Sequence, residues 1–372
     1  MVYNENRSQL EKLIMNYKHT LLAGMMALVP LTIAQAGDAP ADNYTEINLA
    51  VTDDQVIPRY AAFATASATL EQVAENFCAT PGAGSLEALR VGFHDSMDAW
   101  QLIQHVQFGP ITYFNWNFRL QYWPDENGTG ARQLDALIAG KNTDALDSES
   151  FARESVGVQG FPALERLLFA DDTLAAMQAD PFRCDVAMTI ARNISEIATG
   201  VYQRWTDEFR TTIASADERG FFESAEDATI DFMKSQIEPV RRIQQQKLED
   251  VIGESASAVR VRRAESWRSA RSLKNLELNV QALDTLFNGS GDVLALNTML
   301  LDTDVATINE KFADLHTTLD ALPDGLEAAL EAPDGYARLQ QVVAGLDAVF
   351  EALEAALKNT DLYLGFNSLD GD

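Results

Sequence analysis

Four polar side chains lie at helical spacing in one segment of the sequence. His94, Asp98, Gln101 and His105 are separated by four, three and four residues, so they would share one face of a helix. Imidazole and carboxylate groups together can bind a transition metal. The two histidines would be about 16 Å apart along the helix axis, so they cannot bind the same ion. The alternative is a polar face with one histidine packed against a neighbouring helix.

A further candidate acid lies in a short apolar segment. Glu165 follows Pro162, which is expected to open a short helix because proline suits the first helical turn. The leucines around Glu165 are expected in the core, and this places the carboxyl beside an apolar wall. A carboxyl in that position is either paired with an arginine or shifted in pKa. A structural ion pair is the simpler interpretation.

Positive charge is concentrated in one segment of an acidic chain. Residues 241–274 hold nine basic and four acidic residues, whereas the whole chain has 28 Lys and Arg against 56 Asp and Glu. The basic residues are Arg241, Arg242, Lys247, Arg260, Arg262, Arg263, Arg268, Arg271 and Lys274. Arginine binds carboxylates and other anions through several donors at once. The segment predicts an anion site, or else it neutralises the acidic faces around it.

The elements that must position these residues are helices. Apolar residues recur at three and four positions, and no two-residue alternation is sustained. The helix predicted at 85–108 has Ser85 as its N-cap and ends before Gly109. The other long helices predicted are 43–77, 181–214, 225–251, 257–287, 301–319 and 335–358. Long helices with short connections indicate an all-α fold of two four-helix-bundle-like domains packed together.

The N-terminal residues have the order of a secretory signal. Lys18 and His19 precede an apolar stretch, 21–33, which leads to Ala36. We therefore expect a signal peptide at 1–36 with cleavage after Ala36, and export to an oxidising compartment, most simply a bacterial periplasm. The expected domains are 37–215, a helical bundle with a loop-rich insertion, and 216–372, a second bundle.

Both cysteines follow the predicted signal. Thiols of exported proteins tend to form disulfides, so a structural bridge between Cys78 and Cys184 is expected. Two separate buried thiols are the alternative, since pairing requires the Cα atoms to lie within about 7 Å.

The formal net charge of −28 limits the partners of the protein. A surface this acidic repels nucleic acid and anionic lipid, so no nucleic-acid partner is expected. No apolar run beyond the signal reaches membrane length, so the mature protein is not expected to span a membrane.

Several segments resemble the imelysin family, also described as peptidase M75. In chain order they are Ala99-Trp100-Gln101, Phe108-Gly109-Pro110, Tyr122-Trp123-Pro124-Asp125, 160–169, Arg183-Cys184 and 264–273. The resemblance implies two helical bundles, a site at their interface, export, and an association with bacterial iron acquisition. The motif of the family is G-x-H-x-x-E, in which Gly160 and Glu165 match and Pro162 stands in place of the histidine. Proline offers neither a ligand nor a base, so the site cannot be a metal or peptidase centre of that pattern.

The leading hypothesis is a non-catalytic periplasmic binding or accessory protein for the uptake of iron or another divalent or trivalent metal. Its ligand would be a metal ion or an anionic chelate, and its partners other iron-uptake components. No catalytic residue is assigned. The residues expected to line a cleft between the bundles are Trp100, Gly160, Pro162, Glu165, Trp267, Arg268 and Arg271.

Two other functions remain open from the sequence. A metallopeptidase with a non-standard site would need a substitute ligand such as His94, Asp98 or His105 to approach Glu165, and the expected metal set is His94, Asp98 and Glu165. A purely structural or interaction protein would use Glu165 only to neutralise an arginine.

Overall fold

The computed structural model describes residues 43–217, 220–291 and 293–365. The predicted signal peptide, 1–36, lies outside these residues. Within them the chain is helical and no strand occurs. The α-helices are α1 Tyr44–Val51, α2 Ile57–Ala79, α3 Ala83–Gln101, α4 Trp116–Leu120, α5 Thr129–Gly140, α6 Ser148–Phe151, α7 Phe161–Leu168, α8 Thr173–Ala179, α9 Pro181–Arg204, α10 Arg210–Ala214, α11 Ala225–Arg242, α12 Asp250–Ile252, α13 Ser272–Asn288, α14 Asp302–Asp320, α15 Leu326–Glu331 and α16 Gly335–Leu357.

The long helices form because each buries one apolar face. In α2, Tyr60, Phe63, Leu70 and Phe77 are completely buried at helical spacing. This helix packs along α9 and α3. Short π-helical segments join α1 to α2, α9 to α10 and α11 to α12, so the predicted helices at 43–77, 181–214 and 225–251 are confirmed as continuous helical segments. The predictions at 301–319 and 335–358 are confirmed by α14 and α16.

The apolar side chains form two cores. The first is built mainly from α1, α2, α3, α7 and α9, and the second from α13, α14 and α16. Helix α11 belongs to both, because Phe232 packs in the first core and Val240 in the second. The division into 37–215 and 216–372 stays a prediction.

The helix predicted at 257–287 is wrong in its first half. Residues 256–271 form turns with two short 3₁₀ segments, and α13 begins only at Ser272. Ser266 and Ala270 have φ of 52° and 58°, a left-handed conformation that an α-helix excludes. We call residues 264–271 the arginine loop.

Helix α3 also differs from its prediction at both ends. Its N-cap is Gly82, and Ser85 lies in the first turn, where its Oγ accepts a hydrogen bond from the Gly82 N–H at 3.1 Å. The helix ends at Gln101, so His105 lies in the turn that follows and not on the predicted stripe.

The disulfide between Cys78 and Cys184 is confirmed. It joins the end of α2 to the start of α9, with the two Cα atoms 5.6 Å apart. None of the helices in the described residues is both long and apolar enough to cross a membrane.

Candidate functional site

A surface cavity of about 690 Å³ lies where three distant segments of the chain meet. We call it the arginine cavity. Its walls are formed by 121–128, Gly130, Gly157, Pro162, Glu165, Arg166, Arg260, Arg262, Arg263, Ala264, Ser266, Trp267 and Arg268. A cavity of this volume suits a ligand of moderate size.

Arginine dominates the charge of this cavity. Arg166, Arg260, Arg262 and Arg268 form no ion pair with any carboxylate among the described residues, whereas Arg263 lies 3.6 Å from Glu126. Four guanidinium groups are therefore available to a ligand. In a chain of net charge −28, they form a local positive region that attracts anions.

Two of these arginines stack on one indole. The guanidinium carbon of Arg268 lies 4.3 Å from the ring centroid of Trp267, and that of Arg262 lies 5.5 Å away. Burial lowers the pKa of Arg268, and the nearby Arg166 lowers it further, while Glu165 opposes both effects. An arginine pKa is so high that Arg268 stays charged at neutral pH. Trp267 thus holds two cations in fixed positions at the cavity wall.

Glu165 lines the cavity and is only 4% exposed. Its Oε1 accepts hydrogen bonds from the backbone N–H of Ser269 at 2.9 Å and from the Ser269 hydroxyl at 2.7 Å. Burial raises the pKa of Glu165, and the two Ser269 bonds and Arg268 partly oppose that rise. The carboxyl therefore fastens α7 to the arginine loop.

A buried polar network lies behind the arginine loop. Glu265 is 2% exposed and pairs with Lys247 at 2.8 Å. It also accepts hydrogen bonds from Asn275 at 2.9 Å and Gln121 at 3.0 Å. Burial lowers the pKa of Lys247, and Glu265 opposes this effect. The network links 121–128, α13 and the π-helical turn after α11, so the cavity walls are held together by internal hydrogen bonds.

Arg271 lies on the far side of the loop and faces α3. Its guanidinium contacts Asp98, lies 3.0 Å from His94 Nδ1, and donates to Asn275 Oδ1 at 3.2 Å. Burial and Arg271 lower the pKa of His94, while nearby carboxylates oppose them. The side chains of His94 and Asp98 thus both contact the guanidinium group of Arg271 in this structure.

A family model matches most of the chain. The imelysin model, peptidase M75, covers residues 56–353.

The chain belongs to the imelysin family. Iron-regulated protein A of Synechococcus elongatus is 23% identical over 318 residues, which cover 81% of this chain and 82% of that protein. The crystal structure of an imelysin-like protein from Psychrobacter arcticum has a TM-score of 0.71 at 22% identity, covering 87% of this chain and 97% of the other. An iron-regulated protein A precursor from Parabacteroides distasonis gives a TM-score of 0.70 at 15% identity, over 86% and 97% of the two chains. At these identities the solved structures establish the imelysin fold alone.

The structure brings together part of the predicted site. Pro162, Glu165, Trp267 and Arg268 line the arginine cavity of this imelysin-family chain. Gly160 lies just behind it, where a Cβ atom would overlap the carbonyl oxygens of Arg119 and Leu120. Gly160 is therefore needed for close backbone contact, and it offers no group to a ligand.

Two predicted lining residues lie elsewhere. Trp100 is 1% exposed and packs in the first core, with its ring 5.4 Å from that of Phe63. It does not line the cavity, because α3 turns this indole toward α2. Arg271 is 6% exposed and is held by His94 and Asp98, so it is also absent from the cavity wall.

The predicted metal set of His94, Asp98 and Glu165 is not assembled. Arg271 contacts the first two side chains, whereas Ser269 binds Glu165. Across 43–217, 220–291 and 293–365, no group of three His, Cys, Asp or Glu side chains is arranged to hold a metal ion.

Several residues of the site were missing from the predicted set. Tyr122, Trp123 and Arg166 line the cavity, and Lys247 and Glu265 support it. The sequence carried one usable kind of signal, since these residues apart from Lys247 belong to segments that resemble the imelysin family, namely Tyr122, Trp123, Arg166 and Glu265. Nothing in local spacing indicates that Lys247 and Glu265 form a buried pair.

Proposed function

We propose that this protein is an exported, non-catalytic binding protein associated with iron acquisition, which takes an anionic chelate or another carboxylate-bearing ligand in the arginine cavity. The observation that carries the proposal is the presence of four arginines without carboxylate partners, among the described residues, around one cavity. A bare cation would meet net repulsion there. A metal carried inside a negatively charged chelate would instead be attracted.

The iron context comes from relatives. Two proteins with a similar sequence or fold carry the name iron-regulated protein A. That name describes how those proteins respond to iron, and it motivates iron as the metal to test first. Other components of iron uptake are the expected partners of this chain.

The geometry of Glu165 argues against peptidase chemistry at this site. A catalytic carboxylate must reach substrate or a metal-bound water. Oε1 of Glu165 is instead bound twice by Ser269, and Pro162 beside it supplies no ligand. Its role in this proposal is to position the arginine loop.

The proposal is tested by calorimetric titration of the purified protein, without an affinity tag, with ferric citrate. The variant Arg166→Gln/Arg268→Gln removes two guanidinium groups and should weaken binding about a hundredfold or more, because hydrogen bonds to charged groups contribute roughly 1.5–3 kcal/mol each. Arg338→Gln on α16 is the control, since this arginine lies outside the cavity and should leave affinity unchanged.

Binding should also weaken as salt is raised, because the recognition is electrostatic. If the double variant binds anionic chelates as tightly as the wild type, the cavity is not the binding site. Export is tested separately by measuring the intact mass of the protein recovered from the periplasm. That mass should correspond to a chain that begins at Gly37. Recovery of the uncleaved chain from the cytoplasm would contradict export.

A further inference from the structure

Aromatic side chains share the cavity wall with the arginines. Tyr122, Trp123 and Trp267 all line it and are half-buried. We infer that the ligand is an aromatic anionic chelate of the catecholate class, in which electron-rich rings carry the oxygens that hold ferric iron. This inference rests on the proposed function and specifies the chemical class of its ligand.

The stack on Trp267 is suited to such rings. The guanidinium carbons of Arg262 and Arg268 lie 5.5 and 4.3 Å from the indole centroid, so each guanidinium is held over an aromatic surface. Arginine can stack on a ring and donate hydrogen bonds at its edge at the same time. A catecholate ring attracts a cation more strongly than a neutral ring does. Its π-face attracts the cation as any aromatic face would, and its negative charge adds to that attraction. The same two arginines can therefore contact both the face and the oxygens of the ligand.

The size of the cavity favours a large chelate. About 690 Å³ is available, which lies within the range for ligands the size of drug molecules. A small aliphatic anion such as citrate or phosphate can bind guanidinium groups, but it offers no π-face to Tyr122, Trp123 or Trp267. Most of the cavity and its aromatic surface would then stay in contact with water.

The carboxylates at the cavity already have partners. Asp125 accepts from the backbone N–H groups of Thr129 at 2.7 Å and Gly130 at 2.9 Å. Glu126 lies 3.6 Å from Arg263, and Ser269 binds Glu165. The cavity therefore presents donors more readily than open oxygen ligands. This favours a chelate that arrives with its iron fully coordinated.

The inference is tested with a ferric tris-catecholate formed by a hexadentate chelator, compared with ferric citrate. Binding is followed by equilibrium dialysis and by quenching of tryptophan fluorescence. The wild type should bind the ferric catecholate at least about tenfold more tightly than ferric citrate. Trp267→Leu should remove most of this preference, and it should also weaken citrate binding because Trp267 holds Arg262 and Arg268 in place. Tyr122→Leu is a second variant, and circular dichroism checks that each variant is folded.

The outcomes separate the inference from the proposed function. Citrate binding equal to or tighter than catecholate binding would overturn the aromatic class and leave the arginine cavity as an anion site. A catecholate preference that persists in both folded variants would also overturn it, because the aromatic wall would then play no part. Failure of the wild type to bind either chelate would overturn both proposals.

Discussion

Glu165 and Ser269 are joined by two hydrogen bonds across 104 residues of sequence. One bond comes from the backbone N–H and the other from the hydroxyl, so Ser269 satisfies the same carboxyl oxygen twice. The motif glutamate of this imelysin-family chain thus fixes the arginine loop against α7. Arg268, one residue before Ser269, is placed at the cavity wall as a consequence.

Replacing Glu165 by Gln should change stability in a pH-dependent way. Burial raises the folded-state pKa of Glu165, so its contribution is most favourable below the unfolded pKa and is lost as pH rises through the folded value. Glutamine does not ionise, and its carbonyl oxygen can still accept both Ser269 bonds. Glu165→Gln should therefore match the wild type near pH 4 and equal or exceed its stability near pH 8, as measured by urea unfolding. Equal destabilisation at both pH values would contradict the raised folded-state pKa of Glu165, because the effect of the substitution would then not depend on ionisation of the carboxyl between pH 4 and pH 8.

Lys247→Met should be strongly destabilising. The Lys247 ammonium donates to Glu265 at 2.8 Å and Asn279 at 2.7 Å, and its removal leaves Glu265 as a buried charge without its cation. Breaking a buried ion pair in this way costs about 3–5 kcal/mol. Lys247→Met/Glu265→Gln should recover much of the loss in urea unfolding. Lys274→Met is the control, because Lys274 is exposed, and it should change the free energy of unfolding by less than about 0.5 kcal/mol. A single variant as stable as the wild type would mean that the Lys247–Glu265 pair does not stabilise the fold.

Gly160→Ala should destabilise the protein through a steric clash. The added methyl group would overlap the carbonyl oxygens of Arg119 and Leu120, so the backbone must shift, at a cost of about 1–3 kcal/mol. Gly84→Ala is a matched control, because a Cβ there meets nothing within 4 Å and alanine favours the helix. Gly160→Ala should therefore lower the Tm, whereas Gly84→Ala should leave the Tm unchanged or raise it. Both values are measured by thermal unfolding. The same Tm for both variants would contradict the close packing at Gly160.

His316 should give the protein a contribution to stability that declines with rising pH. Its Nε2 lies 3.0 Å from Asp284 Oδ2, and this hydrogen bond raises the pKa of His316, with burial opposing the rise. Because the pKa of His316 is higher in the folded state than in the unfolded state, protonation of His316 stabilises the folded protein. This stabilisation is complete below the unfolded pKa of about 6.5 and is lost as pH rises through the folded pKa. His316→Gln should lower the Tm near pH 6 more than near pH 8. A pH-independent effect would show that the bond does not depend on the charge of the ring.

The long helices could be predicted because their information is local. Each of α2, α14 and α16 has apolar residues at helical spacing, and burial of that face fixes the element. The all-α class followed from this pattern. The disulfide followed from the compartment that the N-terminal residues indicate.

The arginine loop could not be predicted in the same way. Its apolar residues continue the helical pattern, but Ser266 and Ala270 adopt positive φ, which local propensity disfavours. The loop is held instead by partners far away in sequence, as when Gln121 donates to Glu265 at 3.0 Å across 144 residues. The spacing of residues within one segment does not indicate such long-range contacts. For the same reason the sequence misplaced Trp100, whose direction is set by the packing of α3 on α2.

Native mass spectrometry with elemental analysis, on protein purified from the periplasm without chelators or an affinity tag, can show whether the arginine cavity holds a ligand. We expect a stoichiometric anionic ligand that carries iron and is lost from the Arg166→Gln/Arg268→Gln variant but retained by Arg338→Gln. A protein that carries no ligand and binds neither ferric citrate nor ferric catecholate would rule out the arginine cavity as a site for such a chelate. The arginine cavity would then be a surface for another protein or a structural feature of the fold.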